Sequence, residues 1–291
     1  MTPGRSSSRT ECDTRTHDDA AASYLELAPP PDLAGVVACT WVARTGSGES
    51  SPGPIIPDAC SDIVVVGDAE PHVAGPATRT HLAPVGVGTR VVGIRFRPGA
   101  TRVAFGCDAN ELLDAAPELR AVCGVAANAL NDELSHAPTS DAMRAALERW
   151  VRARLARDPH RDADALAAAN ALVSGRARTV RELGAAFGWS ARRVHREITA
   201  TCGYGPKTLQ RIVRMQRVVR RAVTCGTEWG VAGDGSRSHH RTPPLARLAL
   251  DAGYADQAHM TRDFRDLTGY TPRELLARVN ADVGRWLDGA E

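Results

Sequence analysis

One stretch of this chain is written twice. Residues 183–209 (LGAAFGWSARRVHREITATCGYGPKTL) and 248–275 (LALDAGYADQAHMTRDFRDLTGYTPREL) first align at an offset of 65, through Leu183 with Leu248, Gly188 with Gly253 and Trp189 with Tyr254. The offset then becomes 66, through Arg196 with Arg262, Gly203 with Gly269, Tyr204 with Tyr270 and Pro206 with Pro272, so one residue is added in the second turn. Each copy has the anatomy of a helix-turn-helix: a short apolar-striped helix, a glycine where the chain reverses, and a capped second helix. In the first copy Val180, Leu183 and Phe187 face a core, Gly188 supplies a positive φ, and Ser190 caps the next helix. Val194 and Ile198 then point inward, as Met260 and Phe264 do in the second copy.

The outward faces of the two second helices carry Arg192, Arg193, His195, Arg196 and Thr199 in the first copy, and Gln257, Ala258, His259, Thr261, Arg262 and Arg265 in the second. Arg and Gln read guanine and adenine edges through bidentate hydrogen bonds, and small residues such as Ala and Thr pack on thymine methyls. Between the copies, residues 206–223 start with Pro206 at a first-turn position and predict a helix of about 18 residues, ~25 Å long. That length suits two reading heads entering successive major grooves, roughly 34 Å apart. The outer face of this linker helix, Lys207, Arg211, Arg214, Arg217, Arg220 and Arg221, is equally consistent with phosphate contacts and with plain solvation.

Charge is distributed to match. The net +2 divides at Asp158 into 15 Arg against 20 acidic residues before it, and 21 Lys and Arg against 14 acidic residues after it. Residues 176–221 hold 12 basic groups against Glu182 and Glu197, the signature of a surface that neutralises phosphate. The segment 245–278 is neutral, with five Arg and five acidic groups, so the first unit is expected to dominate nonspecific affinity.

Two unequal helix-turn-helix units on a linker helix resemble the DNA-binding module of the AraC/XylS regulators. The resemblance covers residues 162–278 and is densest from Leu248 to Pro272, where L-A-x-x-A-G-Y-x-D-x-x-H-M-x-R-x-F-R-x-x-T-G-Y-T-P follows the family signature with Met260 in place of the usual aromatic. It implies base contacts from Arg192, His195 and Arg196 and from Gln257, Ala258, His259, Thr261 and Arg262, with Arg193, Thr199 and Lys207 beside them. The departure is an insertion at 224–244, Gly-rich and closed by Pro243 and Pro244, expected to be a loop whose His239 and His240 lack further ligands at metal-binding spacing.

The expected fold class is α+β: a β-rich, sensory-type N-terminal domain, then an all-α domain with two helix-turn-helix units joined by a linker helix. The expected divisions are a disordered tail at 1–20, the β-rich domain at 21–122, a helical linker at 123–160, the DNA-binding domain at 161–280 and a tail at 281–291. Strands are predicted at 36–42, 62–66 and 91–96 between Pro and Gly punctuation. In the last, Val92, Ile94 and Phe96 face a core while Gly93, Arg95 and Arg97 face water or a ligand. Residues 140–157 place Met143, Leu147, Trp150, Val151 and Leu155 on one stripe after a Ser140 cap, a linking or dimerising helix.

The N-terminal half resembles a β-rich domain found ahead of this module in a group of regulators, through Trp41, P-D-A-C-S-D-I-V at 57–64 and V-G-I-R-F-R-P-G-A at 92–100. That resemblance implies a sensory or dimerising role. Asp58, Cys60, Asp62, Arg95 and Arg97 are the residues placed to line an effector pocket, with turn-forming Asp and strand-face Arg the commoner explanation of the same residues. Cys12, Cys39, Cys60, Cys107, Cys123, Cys202 and Cys225 are odd in number and lack C-x-x-C spacing, so reduced, mostly buried thiols are expected.

The expected function is therefore a cytoplasmic bacterial, sequence-specific transcription regulator, an activator on double-stranded DNA with RNA polymerase as a further partner, modulated by a small-molecule effector or by dimerisation, for which 125–157 is the candidate segment. No cofactor, catalytic residue or metal site is expected, and no membrane association, because no apolar run approaches the ~18 residues that span a bilayer. The alternatives are a DNA-directed enzyme such as an alkyl-transfer repair protein, which needs a zinc-type cysteine cluster that is not in the sequence, and a scaffold that binds DNA of any sequence.

Overall fold

The computed structural model describes residues 23–46, 54–158, 162–227 and 244–287, with backbone alone over 223–227 and 280–287. The expected N-terminal tail at 1–20 and residues 228–243 of the insertion, with His239 and His240, lie outside the described residues. The protein is α+β, a β-rich region followed by a helical one.

Seven strands, β1 (Ser23–Leu27), β2 (Val37–Arg44), β3 (Pro54–Ile55), β4 (Ser61–Val66), β5 (His72–Ala74), β6 (His81–Leu82) and β7 (Arg90–Phe96), form two sheets. The larger is fully antiparallel in the order β1-β2-β7-β4-β5, and β3 pairs with β6. All three strands expected from the apolar runs are present as β2, β4 and β7. On one face Ile63, Val65, Val92, Ile94 and Phe96 bury against α1 (Thr101–Phe105), α2 (Leu119–Cys123), α3 (Asn128–Ser135) and α4 (Ser140–Arg157). Phe96 meets Phe105 edge-on at 5.1 Å between ring centroids, a favoured aromatic geometry.

The opposite face of β7 is not open to water. Trp41 of β2 lies flat over Gly93, and a Cβ at that glycine would come within 2.3 Å of the indole. Glycine is required there because only its missing side chain lets the ring settle on the sheet. The indole Nε1 donates to Asp62 Oδ2 at 2.9 Å, and Cys39, Ala43, Val64, Val85 and Val91 complete a second small core around it.

α4 also departs from expectation. Its N-cap is Thr139, whose hydroxyl accepts from Ala142 N at 3.2 Å, and Ser140 is its first helical residue. Met143, Leu147, Trp150 and Val151 belong to the sheet's own core, so the apolar stripe expected to link or dimerise covers the sheet of the same chain.

Seven further helices follow: α5 (Ala163–Ser174), α6 (Val180–Phe187), α7 (Ala191–Cys202), α8 (Pro206–Thr227), α9 (Leu245–Ala252), α10 (Gln257–Thr268) and α11 (Pro272–Leu287). α8 runs four residues beyond 223, and α11 runs past the expected boundary at 280. The helical region joins the β-rich region by direct packing: Ala59 is part of the helical core, with Ile56 and Leu113 against it. Tyr204 donates to Ala77 O at 3.2 Å and Gln216 Nε2 to Pro57 O at 2.7 Å. Arg102 of α1 reaches Asp108, Asp162 and Glu197 at 2.9, 3.2 and 3.5 Å, the last on α7.

Gly93→Ala is expected to force Trp41 off the sheet and cost about 1–3 kcal/mol, the usual toll of overpacking. Urea unfolding of the two proteins measures it; a change under about 0.5 kcal/mol would mean the indole tilts away freely.

Candidate nucleic-acid interface

The two copies of the repeat fold into two matching units. In the first, Thr179 caps α6 by accepting from Glu182 N at 3.1 Å, and the turn is tight enough that a Cβ on Gly184 would lie 2.6 Å from Trp189 O. Ser190 caps α7 by accepting from Arg193 N at 3.3 Å. In the second, Asp256 does the same for α10, accepting from His259 N at 2.6 Å. The reversals after α6 and α9 use Gly188 and Gly253 at φ +65° and +90°, a left-handed cap that penalises any Cβ. Leu183, Val194 and Ile198 are fully buried, as are Leu248, Met260 and Phe264 at the equivalent positions.

The periodicity therefore sorts the outward residues as expected. On α7, Arg192, Arg193, His195 and Arg196 are exposed and Thr199 is half-buried. On α10, Gln257, Ala258, Arg262 and Arg265 are exposed, while His259 and Thr261 are half-buried. Lys207 is exposed in the first turn of α8.

Their local partners differ. Arg193 stacks over Trp189 at 4.7 Å and stands 4.0 Å from Glu197, whereas Arg196 bonds Glu197 at 2.8 Å. Glu197 thus links three arginines, two on the recognition helix and Arg102 on the β-rich side. On α10 the Thr261 hydroxyl donates to Gln257 O at 2.8 Å, and the His259 ring accepts from Ala255 N at 3.5 Å and packs edge-on against Tyr254.

The outer face of the linker helix divides into unlike parts. Arg211 and Arg214 are neither simply solvated nor turned outward. They clamp α10, with Arg211 bonding Asp263 at 2.8 Å and Asp266 at 2.7 Å, and Arg214 bonding Asp263 at 3.2 Å. Arg214 also lies over the Tyr254 ring at 5.1 Å. Asp263 is buried, and His259 Nε2 stands 3.9 Å from it, so one carboxylate fixes the second recognition helix to the linker. Arg217 is half-buried and donates to Val173 O at 3.0 Å. Sequence periodicity finds the arginines; the carboxylates they meet lie about fifty residues away and carry no local signal.

The residues proposed for an effector pocket separate into two places. Asp58, Cys60, Asp62 and Arg95 come together: Arg95 bonds Asp62 at 3.2 Å and stands 3.6 Å from Asp58, and Cys60 N donates to Asp58 Oδ1 at 2.9 Å. Glu26, which sequence reasoning missed, joins them at 3.2 Å from Arg95. Burial raises the Asp62 carboxyl against the pull of Arg95. Burial and then the Asp58 charge push the Cys60 thiol up, which argues against a reactive thiolate there. Cys39 and Cys202 are pushed up to about 12 by burial, and all five cysteines with described side chains are unpaired by disulfides. Arg97 is not part of this cluster; its Nε donates to Ala34 O at 2.7 Å, on the side facing α5 and α8. Among the described residues, no group of three or more His, Cys, Asp and Glu could hold a metal ion, and no helix is long and apolar enough to cross a membrane.

A family described as a domain of unknown function (DUF6597) matches residues 25–118, the β-rich part of the chain. No curated protein matches the sequence. Two crystal structures of ToxT from Vibrio cholerae are similar in overall arrangement. ToxT from strain O395 has 10% identity and a TM-score of 0.43, over 88% of this chain and 98% of that one. An apo variant from strain SCE256 has 10% identity and a TM-score of 0.41, over 82% and 97%.

Asp263→Ala removes the shared partner of Arg211 and Arg214, and is expected to lower stability by about 1–3 kcal/mol, less than a fully buried pair because both arginines keep contact with water. Chemical denaturation checks this, and a wild-type midpoint would show that Asp266 alone holds α10.

Proposed function

We propose that this chain is a sequence-specific DNA-binding transcriptional regulator of AraC/XylS type, in which α7 and α10 read successive major grooves. What carries the reading is the repeated architecture with chemistry on its outer side: two capped helices, equivalent in fold, each presenting exposed base-reading side chains. Arg192, His195 and Arg196 serve the first head; Gln257, Ala258, His259, Thr261 and Arg262 serve the second. Arg193, Thr199 and Lys207 contribute at the edges of the first, through backbone phosphates or neighbouring bases.

The two heads have unlike electrostatics. The neutral Ser190 caps the first recognition helix and the acidic Asp256 caps the second, so phosphate attraction is concentrated on the first unit and the second adds discrimination. DNA must draw Arg196 away from Glu197, an exchange of one charge-assisted bond for another.

In this reading the protein works in the bacterial cytoplasm as an activator that touches RNA polymerase, without cofactor or catalytic step. The β-rich region takes a small-molecule effector or pairs two copies of the chain. The units read as a β-rich domain to 122, a segment 123–160 that packs on its sheet where the sequence suggests a linker, and a DNA-binding domain at 161–280. A scaffold without sequence preference is the alternative, separated by comparing affinity for selected and scrambled duplexes.

Selection from a random duplex pool with the full-length protein is expected to enrich an asymmetric site of two short blocks about one helical turn apart. No enrichment, with equal binding of scrambled DNA, would replace the reading with the scaffold. On the enriched site, Arg196→Ala should cost about 1–3 kcal/mol and relax preference at one base position; an equal loss on every sequence would make Arg196 a phosphate contact. Lys207→Ala should lower the slope of log affinity against log salt by about one, and an unchanged slope would mark it as solvated.

A further inference from the structure

Between the β-rich region, α5, α8 and α9 lies an open cleft of about 910 Å³, within the usual size range of small-molecule sites. Its walls come from four places: the turn at Ala34 and Gly35 with Arg97, the end of α5 with Arg176, the last turns of α8 with Arg217, Arg220 and Arg221, and the end of α9 with Asp251. Among the described residues, five arginines and one carboxylate line it, with Asp251 3.5 Å from Arg221 and 3.2 Å from Arg247.

From this geometry we infer that the cleft binds a small polyanion, a compact molecule bearing several phosphate or carboxylate charges. A guanidinium presents parallel N–H donors that match either group bidentately, and five of them converging from separate elements favour a ligand with more than one anionic centre. Among the described residues that line it, Val173 is the largest apolar side chain and none is aromatic, so the described walls favour charge over an acyl chain or a stacked base. Like-charge crowding shows in Arg217, whose guanidinium is shifted down by burial and then by Arg220, Arg178 and Arg214. An anion relieves that repulsion.

Because the ligand bridges α5, α8, α9 and the β-rich region, its binding sets how the second unit sits relative to the linker helix and to the sheet. This regulatory role rests on the DNA-binding reading above; the anion site itself does not. The pairing of Asp58, Asp62 and Arg95 with one another makes the cleft the better home for an effector, and of the five residues the sequence offers for a pocket only Arg97 lines it.

The test is calorimetric titration of full-length protein with inorganic pyrophosphate at constant ionic strength, with citrate in a parallel arm to separate phosphate from carboxylate ligands. Saturable binding of one anion per chain is expected, weakened at least about tenfold by Arg97→Gln and by Arg220→Gln, each removing a charge-assisted bond. These residues come from separate walls, and circular dichroism of each variant separates lost binding from lost folding. Arg120→Ala, on α2, should leave pyrophosphate binding unchanged. No saturable heat from either anion, or equal weakening by Arg120→Ala, overturns the site. Anion binding by a protein that fails to select DNA would keep the site and remove the reading, whereas DNA selection without anion binding would do the reverse.

Discussion

Both helix-turn-helix units depend on one apolar stripe. Helices of eight and twelve residues, the lengths of α6 and α7 and again of α9 and α10, cannot hold their shape in water by propensity alone. They persist by burying one side against α8, whose Leu209, Ile212, Met215, Val218 and Val219 are buried in a core that also takes in Leu183, Ile198, Leu248 and Phe264. α8 is therefore less a spacer than the shared interior of two small units, neither of which closes a core by itself.

With α8 as the common interior, charged side chains decide orientation. Arg211 and Arg214 hold α10 through Asp263, while Glu197 stands between the recognition helix α7 and Arg102 of the β-rich region. The same residue type does different work at neighbouring turns of α8: Arg211 and Arg214 fix α10 through Asp263, while Arg217 and Arg221 line the cleft beside α5 and α9. Helical phase tells which arginines share a face; only the fold tells what they meet.

That distinction describes how far the sequence could be read. The repeat, the glycine reversals, the cap Ser190 and the inward residues follow from spacing of 3.6 residues and from local backbone demands, so they were legible. Strands β2, β4 and β7 were legible as apolar runs between turns, whereas β3, β5 and β6, two or three residues each, have no periodicity to detect. β1 reads SYLEL and owes its place to pairing with Leu27 to Ser23 against Thr40 to Arg44, a contact no local pattern encodes. Thr139 and Ser140 are equally good caps by residue type, and the choice between them fell to the path of the preceding turn. The second face of β7 looked open because Gly93 breaks the pattern, yet that glycine is the seat of Trp41. The cleft gathers arginines from three distant segments and was invisible for the same reason as the clamp on Asp263.

The first unit is tied to the β-rich region by Tyr204 on Ala77, by Arg102 on Glu197 and by the approach of Gly99 to Ala169, so close that a Cβ on the glycine would fall 2.4 Å from the alanine methyl. The second unit has its carboxylate clamp, its share of the α8 core and the packing of α11 on β1. On that anchorage, the amide protons of α9 and α10 should exchange through a partial opening that leaves the sheet and the first unit intact, with one unit folded while the other is released.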